Sequence, residues 1–284
     1  MRRERIAEDI FVFTSDLYAQ VNAGVILTSE GTIIIDTLPF PQETRELLTF
    51  ARQYGSGGIR YVINTHYHSD HTYGTYLFSG AEVISHRLCR EKLLRLGEQS
   101  LTEAKRETPA LAEVELRIPN MIFDNEMYLH LGARSLRLIH LPGHTPDSIG
   151  VFVEGDKILF AADALLPVPY IVWGDREQMA ESLRTIKNLR PDSVIQGHGQ
   201  IILRGELGEE VDSSIAYLTN IYQAVKRVLD KGQPEEALGS IDIEECGKSR
   251  IPLDGLVRQL HRGNLIALYR QLKEGKEKGK ARSQ

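Results

Sequence analysis

The sequence predicts an α/β protein, and three observations carry that expectation. Short runs rich in Val, Ile, Leu and aromatic residues recur along the chain, bounded by turn-forming residues, as buried strands are. A segment with apolar residues at helical spacing joins two of these runs, which makes a strand-helix-strand unit and predicts parallel pairing. Four of the runs end in a His or Asp, or beside one, at the edge where open α/β sheets place their ligands.

Taken in order, residues 10–13, 23–28 and 32–36 read as strands, and Ser29-Glu30-Gly31 between the second and third is a hairpin signal. Asp36 closes the third strand, as an acceptor that orients a metal ligand or as a cap. Residues 42–54 follow Pro41 at helical spacing and stop at Gly55-Ser56-Gly57-Gly58. The run 59–63 is the next strand, and 81–85 another, leading to a helix over 86–96. Residues 97–118 are polar and helix-permissive, either a flap near the cleft or a solvated connector. Strands are expected at 127–131, 135–141, 149–153, 157–162 and 193–196, with an amphipathic helix at 176–190 ended by Pro191. Beyond Gly208 the pattern is helical, at 211–229 and 253–272. Residues 1–207 are read as one α/β domain, 208–272 as a helical extension, and the charged tail 273–284 as disordered. The extension offers core coverage, control of substrate access or a homodimer surface.

The chemistry concentrates after the strand at 59–63, in Asn64-Thr65-His66-Tyr67-His68-Ser69-Asp70-His71. Imidazole and carboxylate are ligands that borderline metals such as zinc prefer, and alternation on extended chain turns His66 and His68 the same way. Asp70 and His71 then continue into a helix, far enough on to face a second ion. Of the nine histidines, His86, His130, His140 and His261 lie outside any such pattern and read as structural.

The run His66-x-His68-x-Asp70-His71 resembles the signature of the metallo-β-lactamase-fold hydrolase superfamily. Later elements appear in that superfamily's order: Gly143-His144-Thr145-Pro146-Asp147-Ser148, Ala161-Ala162-Asp163-Ala164, and Gly197-His198-Gly199. Ile33-Ile34-Ile35-Asp36 matches its early strand ending in aspartate. The resemblance spans roughly residues 10–205 and implies a four-layer αββα sandwich of two mixed sheets with helices outside. It implies one metal on His66, His68 and His144, a second on Asp70, His71 and His198, and Asp163 between them, with two zinc ions as the expected cofactors and iron or manganese as alternatives. It further implies a metal-bridging hydroxide as nucleophile, oriented by Asp70 as the catalytic carboxylate, cleaving an ester, lactone or thioester. Aspartate at 163, where many true β-lactamases place cysteine, points to the glyoxalase II-like and lactonase-like branch. Phe40, Tyr67, Tyr73, Tyr170 and Trp173 flank these ligands in sequence and offer an aromatic pocket for a small-molecule substrate. A phosphodiesterase on the same centre, a mononuclear-iron sulfur dioxygenase and a non-catalytic metal-binding protein are the alternatives.

Composition narrows the field. At 284 residues, 42% hydrophobic and 26% charged, the chain has the balance of a soluble globular protein. A net charge of −5 gives no basic field for a nucleic-acid backbone, so no nucleic-acid partner is expected. The N-terminus lacks the apolar core of a secretory signal, and no run approaches the ~18 apolar residues of a membrane span. The cytoplasm is the expected location. Cys89 and Cys246 form no metal or redox motif and read as two buried thiols.

Overall fold

The computed structural model describes residues 1–281, and side chains to residue 275. Its strands form two mixed sheets packed face to face with helices outside, the αββα sandwich expected. The first sheet is ordered β1(Arg2–Ala7), β2(Ile10–Thr14), β3(Asn22–Thr28), β4(Gly31–Ile35), β5(Ile59–Ile63), β6(Glu82–His86), β7(Met121–Phe123). It is antiparallel from β1 to β4 and parallel from β4 to β7. The switch falls where α1(Pro41–Tyr54) crosses from β4 to β5. The second sheet contains β8(Glu126–Leu131), β9(Arg134–His140), β10(Ile149–Val153), β11(Ile158–Ala162), β12(Ser193–Gln196) and β13(Ile202–Leu203). It is antiparallel except for the β11–β12 pair, which α5(Arg176–Leu189) connects.

Side-chain alternation builds the layers. Ile33 and Ile35 of β4 point between the sheets toward a core that includes Leu136, Leu138, Val151, Phe160 and Ile195, while Ile34 faces Leu47 and Ala51 of α1. On the other side Leu159, Ala161 and Val194 meet Met179, Leu183 and Ile186 of α5. The same outer core takes in α6(Arg204–Asp230) through Val211, Leu218 and Ile221, and α7(Val257–Ala281) through Leu265 and Leu268. The helix α6 starts at Arg204 and so runs through the expected division at residue 207. The C-terminal helices share one hydrophobic core with the second sheet.

Three strands escape the sequence pattern. The Arg- and Glu-rich β1 pairs antiparallel with β2 at the sheet edge. Charge suits an exposed edge because it discourages pairing with another chain, and Arg3 and Arg5 lie over the rings of Phe50 and Phe11. The strands β7 and β13, three and two residues long, are too short to show a period. Residues 97–118 also begin differently from expectation. After α2(Ser69–Thr72), α3(Arg87–Lys92) passes through a π-helical turn at residues 93–97 directly into α4(Glu98–Glu107). Leu101, Leu111 and Val114 of this excursion form a small core with Tyr73, against which Phe40 and Tyr76 pack.

Helix α7 continues through Ala281, so the segment from 273 expected to be disordered is helical that far. Lys, Glu and Ala are good helix formers and extend a helix already nucleated by packing. Residues 282–284 of that tail lie outside the described residues. Among the described residues no helix is long and apolar enough to cross a membrane. Cys89 and Cys246 are both buried and unpaired.

Candidate metal centre

The ends of β4, β5, β9, β11 and β12 converge at one edge of the sandwich and bring together two clusters of donor atoms. His66, His68, His144 and Asp163 form the first, and Asp70, His71 and His198 the second, with the donors of each within 4.8 Å of one another. His66 and His68 leave the end of β5, and Asp70 and His71 lie on the short α2 that follows. Asp163 comes directly after β11, following Ala162 in the left-handed region (φ 45°), a strained conformation for a residue with a Cβ. Gly197, one residue after β12, lets Asp163 approach, because a Cβ there would overlap Asp163 Oδ1.

The aspartate links the clusters. Its Oδ2 lies 3.2 Å from His144 Nε2 and 3.9 Å from His66 Nε2. Its Oδ1 lies 3.3 Å from His71 Nε2 and 3.7 Å from His198 Nε2. Asp70 Oδ2 stands 3.2 Å from His198 Nε2 and 3.6 Å from His71 Nε2.

Hydrogen bonds behind the rings fix which nitrogen faces inward. His71 Nδ1 donates to Asp36 Oδ2 at 2.8 Å, His144 Nδ1 to the Tyr170 carbonyl at 2.7 Å, and His198 Nδ1 to the Ala19 carbonyl at 2.9 Å. Asp36, 2% exposed, also accepts from the Thr65 amide and hydroxyl, so it ties β4 to the histidine loop. Since that hydroxyl proton goes to Asp36, His66 Nδ1 at 3.2 Å donates to Thr65 Oγ1. Four rings therefore turn Nε2 inward, and His68 adds Nδ1 at 3.0 Å from both His66 Nε2 and His144 Nε2. Converging lone pairs repel one another, and His71 Nε2 and Asp163 Oδ1 are buried with no hydrogen-bond partner. A set of imidazole and carboxylate donors in that condition fits divalent metal ions.

The electrostatics split along the same line. Burial, reinforced by the neighbouring imidazoles, holds His66 well below the usual histidine range and His68 at about 3. Burial also opposes charge on His71 and His198. The carboxylates outweigh it, with Asp36, Asp70 and Asp163 raising His71 well above its ordinary value, and Asp163 and Asp70 raising His198. Conversely, burial would raise Asp70 and Asp163, but His71 and His198 pull Asp70 far down, and His198, His71 and His144 do the same to Asp163.

An aromatic rim surrounds the clusters. Trp173, 50% exposed, stacks edge-on against His68 with centroids 4.7 Å apart and against Tyr170 at 5.3 Å. Tyr67 packs on His68 at 4.6 Å, and Lys92 Nζ lies over the Tyr67 ring. Phe40 contacts Tyr18. Tyr73, 6% exposed, is packed among Leu101, Leu111 and Val114 and offers the cleft almost no surface. Sequence reasoning passed over Tyr18, although Asp70, burial and Asp163 together push its phenol up to about 12. Its segment between β2 and β3 carries no motif; the left-handed Ala19 and Gln20 beside it, which aim the Ala19 carbonyl at His198, have no sequence signature. Asp147 is a second omission: its Oδ2 accepts the Tyr67 amide at 2.8 Å and so braces the chain between His66 and His68.

Fold and donor set together define a metal-binding α/β sandwich whose site is assembled from strand ends. The sequence profile of the metallo-beta-lactamase superfamily matches residues 18–198, and the chain belongs to that superfamily. Its similarity to a "Beta-lactamase-like protein 2 homolog" of Drosophila melanogaster is 25% identity over 78% of this chain and 72% of the relative. It is 22% identical to an "Atrochrysone carboxyl ACP thioesterase" of Cryptosporiopsis sp., over 88% of this chain and 70% of the relative. The crystal structure of a metallo-beta-lactamase family protein from Thermus thermophilus shares the fold, with a TM-score of 0.71 at 17% identity over 95% of each chain.

Proposed function

We propose that this protein is a dinuclear-metal-dependent hydrolase that cleaves a carboxylic ester, lactone or thioester of a small substrate, with an acyl thioester the favoured member of that set. The observation that carries the reading is Asp163, whose two oxygens face separate His clusters. In this reading His66, His68, His144 and Asp163 Oδ2 would hold one ion, and Asp70, His71, His198 and Asp163 Oδ1 the other. Two such ions, when bound, bring the pKa of a water between them near neutrality and polarise the oxygen of the scissile group.

The remaining work falls to the chain. Asp70, kept ionised by His71 and His198, accepts a hydrogen bond from the attacking water and afterwards holds the proton destined for the leaving group. Asp36, Tyr170 and Ala19 lock the ring orientations, so the donors are in position before substrate arrives. Trp173, Tyr170, Tyr67, Phe40 and Tyr18 supply an apolar wall suited to an acyl group, and the Tyr18 phenol, protonated up to about pH 12, is a hydrogen-bond donor. A relative named as an acyl-carrier-protein thioesterase supports the thioester choice.

The test is a comparison of zinc- and manganese-loaded protein on acyl thioester, lactone, aryl ester and aryl phosphodiester substrates. Hydrolysis of the carbonyl compounds, with the thioester among the best and the phosphodiester untouched, is expected. Phosphodiester cleavage alone would overturn the assignment, and one iron per chain with no hydrolysis would point to the dioxygenase alternative.

A further inference from the structure

The superfamily profile ends at residue 198, yet one side chain far beyond it holds the loop whose backbone orients His144. Asn264 lies on α7, is fully buried, and grips the loop after Asp163 at two points on either side of Tyr170. Its Nδ2 donates to the Pro169 carbonyl at 2.7 Å, and its Oδ1 accepts from the Ile171 amide at 2.9 Å. The Tyr170 carbonyl between them is the acceptor for His144 Nδ1.

The network leaves the amide one orientation. His261 Nε2 donates to the Ile241 carbonyl at 3.0 Å, so its Nδ1 is an acceptor and takes the Tyr217 hydroxyl proton at 2.9 Å. The Tyr217 oxygen in turn accepts the second Asn264 N–H at 3.1 Å. Every polar atom of Asn264 is used, and a fully satisfied buried network is rigid. Beside it Gly263 leaves room for the Tyr170 ring, since a Cβ there would sit 3.2 Å from Tyr170 Cε2.

We infer that Asn264 is a positioning residue for the metal centre: by clamping residues 169–171 from the C-terminal helix, it holds the Tyr170 carbonyl where it fixes the His144 ring with Nε2 facing Asp163. The C-terminal helices thereby act on the chemistry as well as covering the sheet. This inference rests on the two-cluster reading above, and its test contains a readout that needs no metal.

In metal-free protein, nitrogen NMR of the histidine rings reports the His144 tautomer, and chelator competition with zinc reports affinity. Asn264→Ala is expected to lose the Nδ1–H signal of His144 and to weaken zinc binding about tenfold or more. Val228→Ala, a cavity in the same outer core on α6, is expected to lower Tm while leaving tautomer and affinity unchanged. If Asn264→Ala keeps the wild-type tautomer and zinc affinity within about twofold, at a Tm lowered as in the control, the residue is structural only and the inference is wrong. If Asn264→Ala does not fold, Gly263→Ala decides. The added methyl favours the helix but presses on Tyr170, so the inference requires a disturbed tautomer and weaker zinc at an undiminished Tm, and unchanged values overturn it. Failure of the wild type to bind zinc would count against the two-cluster reading, and the tautomer would still decide the clamp.

Discussion

Replacing Asp36 by Asn tests how the second cluster is prepared. Asp36 accepts three hydrogen bonds, from the Thr65 amide at 2.9 Å, the Thr65 hydroxyl at 2.7 Å and His71 Nδ1 at 2.8 Å. Asparagine has nearly the same shape but one acceptor oxygen. With that oxygen on the Thr65 amide, its NH2 faces Thr65 Oγ1 and His71 Nδ1. The hydroxyl can rotate to accept. The imidazole can accept only by moving its proton to Nε2, which then points at Asp163 Oδ1, 3.3 Å away, and no longer offers a lone pair to a cation. Loss of such an orienting partner typically weakens metal binding by about 10- to 100-fold, or roughly 1.4–2.7 kcal/mol. The assay is chelator competition on folded protein checked by circular dichroism. One cation should weaken by that factor while the ion on His66, His68 and His144 is retained. Affinities within about twofold of wild type for both ions would refute the claim that Asp36 sets the His71 tautomer.

Other predictions follow from the same geometry. The carboxylates around His71 and His198 raise both above the ordinary histidine value and so favour their protonated forms, whereas burial holds His66 and His68 below it. Filling the second cluster should therefore release protons, and its affinity should rise with pH through and beyond the ordinary histidine range; calorimetric titration in buffers of different ionisation enthalpy measures this, and zero release contradicts it. Asp70→Asn should retain metal but lose about two orders of magnitude or more in kcat; unchanged turnover would sink the proton-holding role. Tyr18→Phe keeps the ring against Phe40 and removes the donor, so kcat/KM should fall about five- to tenfold with Tm unchanged. Leu136→Ala, a fully buried site between the sheets, should cost about 2–5 kcal/mol in urea unfolding without altering metal stoichiometry.

Continuous apolar, β-branched runs and helical spacing made the central strands and α1 and α5 legible, because burial writes itself into residue type. The runs at 32–36 and 59–63 show this most directly. The charged β1 gave no such signal, since it closes an edge, where arginine side chains cover aromatic rings and only Ile6 and Ala7 pack on the core. The continuous path from α3 into α4 hid because the apolar helical pattern of 86–96 gives way at Gly97, a poor helix former, to polar residues, although the backbone stays helical there. At the site, His66, His68, Asp70, His71, His144, Asp163 and His198 were readable as candidates because donor chemistry demands particular side chains at strand ends, and the structure brings these residues into two adjoining clusters. The groups that orient them were mostly invisible, since the Tyr170 and Ala19 carbonyls belong to the backbone and any residue can supply one. Asn264, distant by 120 positions from His144, sits on a helix whose pattern announces only packing.

The most direct test of the account is anomalous X-ray diffraction from crystals grown with zinc. Two peaks about 3.5–4 Å apart are predicted, one among His66, His68 and His144, the other among Asp70, His71 and His198, with Asp163 touching both. A single peak, or zinc bound away from Asp163, would contradict it.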